Sequence, residues 1–160
     1  MDEGLTLGFT GTQRVGPGEV NHLDQCLSDL YTRLSPTSVV TGACIGVDAY
    51  VHHWFAKHYP TLRRVVVVPS KRDKVDFSVL QNADEIVQMP DQSDYRARNT
   101  EMVRRATTMA AFWTGKTTYS GTWMAMNISH RMGKLRPENV FGMGALGTQT
   151  ARERYFGATL

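Results

Sequence analysis

The chain has 160 residues, of which 41% are apolar and 21% charged, and its net charge is +3. These proportions and this length suit one globular domain, and no stretch approaches the apolar run of a membrane span, so a membrane protein is not expected. The acidic start Met1-Asp2-Glu3 lacks a signal-peptide pattern, which predicts a cytoplasmic protein with reduced thiols at Cys26 and Cys44.

Apolar spacing along the chain predicts strands and helices in alternation. Strands are predicted at residues 5–9, 38–41, 63–68, 84–89, 108–112 and 139–143, and helices at residues 20–34, 47–58, 95–106 and 121–132. This alternation predicts an α/β fold, with a single doubly wound, mainly parallel, Rossmann-like sheet and helices on both faces. The domain is predicted to span residues 1–143, and no structure or role is predicted for the tail at residues 144–160.

Loops that contain glycine follow the first two predicted strands and lead into helices. The first contains Thr10, Gly11 and Thr12, and the second reads Thr-Gly-Ala-Cys-Ile-Gly-Val-Asp over residues 41–48. Because the unpaired backbone N–H groups at the start of a helix hold anions, the sequence predicts a phosphate site here. A third cradle of this kind is predicted at residues 120–122.

Ligands of doubly wound sheets bind outside the carboxyl ends of the strands, near the switch in strand order. The predicted ligand-binding residues at this end are Thr10, Gly11, Thr12, Gly42, Gly46, Asp48, Lys71, Arg72, Arg98, Asn99, Ser120, Gly121 and Thr122. Arg98 and Asn99 are suited to clamp a nucleotide, and Lys71 and Arg72 would add positive charge. The alternative for Arg98 is an ion pair with Glu101 or Asp94.

Several familiar motifs are excluded by spacing. The dinucleotide fingerprint G-x-G-x-x-G is absent, and a Walker A loop around Lys116 would need glycine where Ala110 stands. The histidines lack the spacing of metal ligands, so no metal and no cofactor are predicted. Cys44 lies near a helix N-terminus, which is expected to lower its thiol pKa, but the sequence places no histidine as its base.

Taken together, these segments resemble the SLOG superfamily, the Rossmann-like group that includes the DNA-processing protein DprA and the LOG nucleotide phosphoribohydrolases. The resemblance covers residues 5 to about 133. Residues 41–48, with His52 four residues after the acid, look like the SGxAxGxD…H segment of the DprA branch. Arg98 and Asn99 look like the Arg-Asn pair of that branch, and residues 120–122 look like the loop that closes the family's nucleotide site.

One departure from the family bears on function. The LOG branch carries a catalytic glutamate in the motif P-G-G-x-G-T-x-x-E, and Ala125 stands at that position here. Since a carboxylate stabilises the oxocarbenium-like state of N-glycosidic cleavage, that reaction would depend on Asp48 or Glu101 as the catalytic residue.

The sequence therefore favours a protein that binds a nucleotide or an ADP-ribose-like ligand, as a sensor or a sequestering protein. The alternatives are a LOG-type nucleotide N-glycosidase and DprA-like binding of single-stranded DNA, for which Trp113 and Trp123 would offer stacking surfaces. SLOG-like domains often pair through helix faces, so the resemblance also implies a homodimer as an option.

Overall fold

The computed structural model describes residues 4–157, which form one six-stranded sheet covered by helices. In chain order the elements are β1 (Thr6–Gly11), α1 (Val20–Leu34), β2 (Ser38–Thr41), α2 (Val47–His58), β3 (Arg63–Val68), β4 (Glu85–Gln88), α3 (Tyr95–Arg105), β5 (Thr108–Trp113), α4 (Gly121–Arg131), β6 (Leu135–Gly142) and α5 (Thr148–Phe156). None of the helices in this part of the chain is long and apolar enough to cross a membrane.

The sheet is parallel throughout, with the strand order β4-β3-β2-β1-β5-β6. The chain therefore builds outwards from β1 to β4 and then returns to place β5 on the other side of β1. In the middle of the sheet, Gly8 of β1 is level with Val40 of β2 and with Met109 of β5. This arrangement confirms the predicted doubly wound α/β class and puts the switch point between β1 and β5.

Each face of the sheet has its own hydrophobic core. Leu7 and Phe9 of β1 face a core shared with α1 and α2, where Leu27 and Phe55 are fully buried. The opposite core joins β3 and β5 to α3, α4 and α5. Burying a side chain of this size contributes about 1.5–3 kcal/mol, so the two cores together hold the helices against the sheet.

The last strand and the tail differ from the sequence prediction. β6 begins at Leu135, four residues before the predicted start, although Pro137 lies inside it. Proline is tolerated because β6 is an edge strand, and the pairing with β5 shifts register between Met109 and Ala111. The tail after residue 143 contains α5, which packs on β6 and buries Ala151. The residues of the tail beyond 157 lie outside the described part.

The outer edge of β6 is covered by arginine side chains. Arg152 of α5 donates from Nε to the carbonyl oxygen of Val140 at 2.9 Å and from Nη2 to that of Glu138 at 3.1 Å. Arg33 of α1 donates to the same Glu138 oxygen at 3.2 Å. These backbone carbonyl groups, which an edge strand would otherwise leave without hydrogen-bond donors, thus accept hydrogen bonds from arginine side chains.

Candidate functional site

A cavity of about 590 Å³ opens at the switch point, between the carboxyl ends of β1 and β5. We call it the switch-point cavity. Its walls include these residues from the predicted ligand set: Thr10, Gly11, Thr12, Asp48, Arg98, Asn99, Ser120, Gly121 and Thr122. The four other members of the set, Gly42, Gly46, Lys71 and Arg72, do not line it. The structure therefore brings the segments after β1 and β5 together with the buried side chains of α2 and α3.

The N-terminus of α4 forms one wall of the switch-point cavity. Ser120 is the N-cap, and its Oγ accepts a hydrogen bond from the Trp123 N–H at 3.1 Å. Within residues 4–157 no acceptor bonds the N–H groups of Gly121 or Thr122, and the space next to the Gly121 Cα is open. Two helix N–H groups with partial positive charge are thus available to a bound anion.

Arg98 is buried, with only 7% of its surface exposed, and it binds the protein itself. Its Nη1 donates to the carbonyl oxygen of Gly42 and lies 3.5 Å from the Cys44 sulfur, while its Nε donates to Asn99 Oδ1 at 2.9 Å. The ion pair considered for it with Glu101 is not formed, because Glu101 pairs with Arg104 and Arg105. Arg98 therefore fixes the segment between β2 and α2.

Asp94, the other acid considered as an ion-pair partner of Arg98, has a different role. Its Oδ1 accepts the Ala97 N–H at 2.8 Å and so caps α3.

Asp48 lies behind the same segment and is almost completely buried. Its Oδ2 accepts the Cys44 N–H at 3.2 Å. Burial raises the pKa of this carboxyl group to about 6, although the Arg98 charge and the N–H groups of Cys44 and Gly42 act in the opposite direction. Of the two carboxylates considered for catalysis, Asp48 lines the switch-point cavity and Glu101 does not.

In the glycine loop between β2 and α2, several N–H groups donate to acceptors within the protein. The Ile45 N–H donates to the Lys74 carbonyl at 2.9 Å, and the Val47 N–H donates to the Thr12 carbonyl at 3.0 Å. Gly46 has a φ of +87°, and a Cβ there would lie 2.5 Å from the Gln13 backbone. Gly42 and Gly46 thus permit close packing, and the N–H groups of Gly121 and Thr122 at the start of α4 border the switch-point cavity.

The two cysteines are free thiols, and Cys44 lines the switch-point cavity. The pKa of the Cys44 thiol was expected to be lowered by the helix N-terminus. Burial, followed by the charge of Asp48, instead raises it, with Arg98 acting in the opposite direction. No group of three or more histidine, cysteine or carboxylate side chains within residues 4–157 is placed to hold a metal ion.

Two predicted contributors lie away from the cavity. Lys71 and Arg72 are exposed in the segment after β3, where Arg72 donates to the Gln88 side chain.

Trp113, considered as a stacking surface for DNA, is 1% exposed and stacks on Trp123 with 5.3 Å between ring centroids. The same pair packs against Tyr155 of α5, so Trp113 belongs to the core and the partly buried Trp123 packs on it.

The rim of the cavity was not predicted from the sequence. Arg14 and Lys116 line it, and both are exposed. The Tyr119 side chain is fully exposed beside them, at a non-glycine residue with a φ of +49°. The run of polar residues after β5 was the available signal, because it precedes a predicted helix start and contains one aromatic residue.

Comparison with solved structures finds proteins of similar fold. DNA processing protein A from Helicobacter pylori has a similar structure, with a TM-score of 0.64 and 17% sequence identity, over 98% of this chain and 74% of that chain. The two proteins share a fold. That protein is described for its mode of binding single-stranded DNA. No protein-family model matches the present chain, and no curated protein matches it. The similarity supports the DprA-like part of the resemblance at the level of the fold.

Proposed function

We propose that the switch-point cavity binds a nucleotide-type ligand whose phosphate group lies at the N-terminus of α4. The protein then acts as a sensor of this ligand or sequesters it. The observation that carries this proposal is the pair of helix N–H groups, at Gly121 and Thr122, that have no acceptor among residues 4–157 and border a cavity of about 590 Å³. Helix N-termini of this kind bind phosphate through both hydrogen bonds and the helix dipole.

The charges at the rim also favour an anion. Two acids, Glu19 and Asp48, line the cavity, and the basic side chains that line it outnumber them: Arg14, Arg98 and Lys116. The Glu19 carboxylate accepts the N–H groups of Gly16 at 3.1 Å and Gly144 at 2.7 Å. The guanidinium of Arg14 and the ammonium of Lys116 make no hydrogen bond or ion pair to another side chain of the described segment. A phosphate entering the cavity therefore meets cations whose charge is not neutralised.

Binding of a small nucleotide is favoured over cleavage of one. Ala125 is fully buried within α4, so the LOG-type carboxylate has no counterpart there. Asp48, the acid that does line the cavity, is engaged with the backbone of the segment before α2. A ligand that enters would meet the hydroxyl groups of Thr10 and Thr12, which are suited to the polar edge of a ribose.

Single-stranded DNA is the second candidate ligand. The specific observation in its favour is the fully exposed ring of Tyr119 at the cavity rim, next to Lys116, in a fold shared with a protein described as binding single-stranded DNA. Base stacking on an exposed aromatic ring combined with phosphate binding by nearby cations is how such proteins hold a strand without reading its sequence.

A thermal-shift panel tests the proposal, with AMP, ADP, ATP, GMP, NAD, ADP-ribose and a short single-stranded DNA. A ligand at 100 times its Kd adds about 2.7 kcal/mol to the stability, which is roughly 5–11 °C in Tm for a domain of this size. The variant Thr122→Val removes a hydroxyl from the cavity wall, and we expect it to reduce the shift. Thr100→Val on α3, whose hydroxyl donates to the Arg96 carbonyl, is the matched control.

The panel has two results that contradict the proposal. One is the absence of any shift with all ligands. The other is a shift that Thr122→Val leaves at its full size, because the ligand would then lie away from α4. A shift with DNA alone favours the second candidate.

A further inference from the structure

Asp48 is a buried carboxyl group that lines the switch-point cavity without a cation in contact. It is 7% exposed, and its Oδ2 accepts the Cys44 N–H at 3.2 Å. None of the ion pairs among residues 4–157 includes Asp48. Because a buried carboxylate loses the hydration of its negative charge, protonation is favoured at this position.

Arg98 lies between Asp48 and the space that a ligand would occupy. A Cβ added at Gly42 would lie 2.5 Å from Arg98 Nη1 and 2.9 Å from Asp48 Oδ2, so the guanidinium and the carboxyl group are close neighbours. Nη1 and Nε of Arg98 bond to Gly42 and Asn99, whereas Nη2 bonds to no residue of the described segment. Since Arg98 also lines the cavity, its one positive charge acts both on Asp48 and on any anion that enters.

The protonation of Asp48 is therefore sensitive to a bound anion. Burial raises the pKa of this group to about 6, and the Arg98 charge is the largest influence in the opposite direction. An anion in the cavity adds a like charge and attracts the same guanidinium, and both effects favour the protonated carboxyl group. When a ligand raises the pKa of a group in this way, the protein takes up a proton from the buffer as the ligand binds.

The surroundings of Asp48 contain one other carboxyl group that could take up this proton. The charged and titratable side chains around it are Cys44 in the preceding loop, Arg98 from α3, and Arg14, Glu19, Lys116 and Tyr119 on the cavity walls. Burial raises the pKa of the Cys44 thiol, so Cys44 stays protonated near neutral pH. His52, one turn further along α2, bonds to Asn82 and does not line the cavity. Glu19 is the remaining acid and provides the control.

We propose that Asp48 is a proton-binding site coupled to the switch-point cavity, so that a nucleotide-type anion binds together with a proton on the Asp48 carboxyl group. The inference rests on the proposed function, because the anion is the phosphate-bearing ligand of that cavity. The neutral form of Asp48 then binds this ligand more tightly than the ionised form. Affinity for an anion of constant charge rises as the pH falls from 8 to 6.

The first test measures proton uptake by titration calorimetry of AMP, GMP and ADP-ribose in two buffers of different ionisation enthalpy. If binding raises the pKa of Asp48 by about one unit, the wild-type protein takes up about 0.5 proton at pH 6.5. Protons exchanged by the nucleotide itself are common to wild type and Asp48→Asn, so the difference between the two proteins isolates Asp48. Glu19→Gln removes the other carboxyl group of the cavity wall and should keep the wild-type uptake.

The same variant has a second consequence at pH 8. Asp48 is ionised there in the wild-type protein, whereas an amide carries no charge. Asp48→Asn should therefore bind ADP-ribose about tenfold more tightly than wild type, which is the ratio that one unit of pKa represents. If Asp48 only held the cavity wall in place, the substitution would weaken binding instead.

Carbon NMR of the Asp48 carboxyl group gives a readout in the wild-type protein, without a variant. The midpoint of its titration should rise by about one pH unit when a saturating nucleotide is present. Equal midpoints with and without nucleotide, or equal proton uptake by wild type and Asp48→Asn, would overturn the coupling and leave the nucleotide site standing. If none of the three nucleotides binds, the inference and the proposed function are both wrong.

Discussion

At the scale of single residues, the buried carboxyl group of Asp48 makes the stability of the protein depend on pH. Burial raises the pKa of Asp48 from the usual 3.8 to about 6. Between these values the folded protein keeps a proton that the unfolded chain releases. The folded state therefore binds more protons, and the contribution of Asp48 to the free energy of unfolding falls as the pH rises through this interval.

The variant Asp48→Asn removes this titration, since an amide does not ionise. We expect the stability of the wild-type protein, relative to Asp48→Asn, to fall by about 3 kcal/mol between pH 3.5 and pH 6.5, at about 1.4 kcal/mol for each unit of pKa. Urea unfolding of both proteins at several pH values measures the difference.

His52 acts in the opposite sense but does not affect this comparison. Its ring is buried beside Asn82, and burial lowers its pKa below 6.5, so its contribution to stability rises with pH until 6.5. Because both proteins contain His52, this contribution cancels in their difference. A difference that stays constant from pH 3.5 to pH 6.5 would show that Asp48 titrates alike in the folded and unfolded states.

At the scale of elements, α3 and α4 begin in the same way, but only α4 has its first turn at the switch-point cavity. Asp94 caps α3 by accepting the Ala97 N–H at 2.8 Å, and Ser120 caps α4 by accepting the Trp123 N–H at 3.1 Å. Each side chain fixes the first turn of its helix. At α4 that turn carries the N–H groups proposed to hold the phosphate.

Replacing each cap with alanine separates stability from binding. We expect Ser120→Ala and Asp94→Ala each to lower the free energy of unfolding by about 1 kcal/mol, because each leaves a helix N–H without its acceptor. Only Ser120→Ala should also weaken nucleotide binding severalfold, since the first turn of α4 frays at the cavity. Urea unfolding and calorimetry give the two quantities, and equal affinities in the two variants would contradict a phosphate site at α4.

The sequence predicts those elements best whose pattern is local. The bounds of β2, α2 and β3 agree with the prediction, because continuous apolar runs and helical spacing repeat within each of them. β6 starts earlier than predicted, and its first residues include Pro137; the tolerance of an edge strand for proline depends on tertiary position, which the sequence does not give.

The sequence predicts which segments form the candidate site, but not the hydrogen bonds and contacts that join them. Residues 120–122 read as a helix start, and they do form the N-terminus of α4. The hydrogen bond from Arg98 to Gly42 spans 56 positions of sequence, and the contact of Gly46 with Gln13 joins two different loops. Neither has a local pattern. The exposure of Tyr119 likewise depends on the conformation of the segment after β5, which no spacing rule reports.

At the scale of the whole molecule, the two edge strands of the sheet are protected from pairing with other strands in different ways. Arg33 and Arg152 cover the carbonyl groups of β6, as described above. The opposite edge is the short strand β4, on which Ile86 is 48% exposed. Short length limits pairing at β4, whereas the longer β6 depends on side chains that occupy its backbone.

Removing both arginines tests whether they prevent association through β6. We expect the double variant Arg33→Met, Arg152→Met to lose about 1–3 kcal/mol of stability and to associate or aggregate at concentrations where the wild-type protein does not, because carbonyl groups on an edge strand become free to pair. Light scattering against concentration measures this. Arg136→Met changes an exposed arginine on the same strand and should leave the scattering unchanged. Similar scattering from both variants would mean that charge, and not edge coverage, controls association.

The bonds around Arg98 also have a consequence for the rate of binding. Arg98 ties α3 to the loop before α2, and the Thr12 carbonyl ties the loop after β1 to the first residue of α2. Much of the switch-point wall is therefore fixed before any ligand arrives. A ligand then has little protein to order, so association should occur in a single diffusive encounter, and its observed rate should rise linearly with ligand concentration without reaching a plateau.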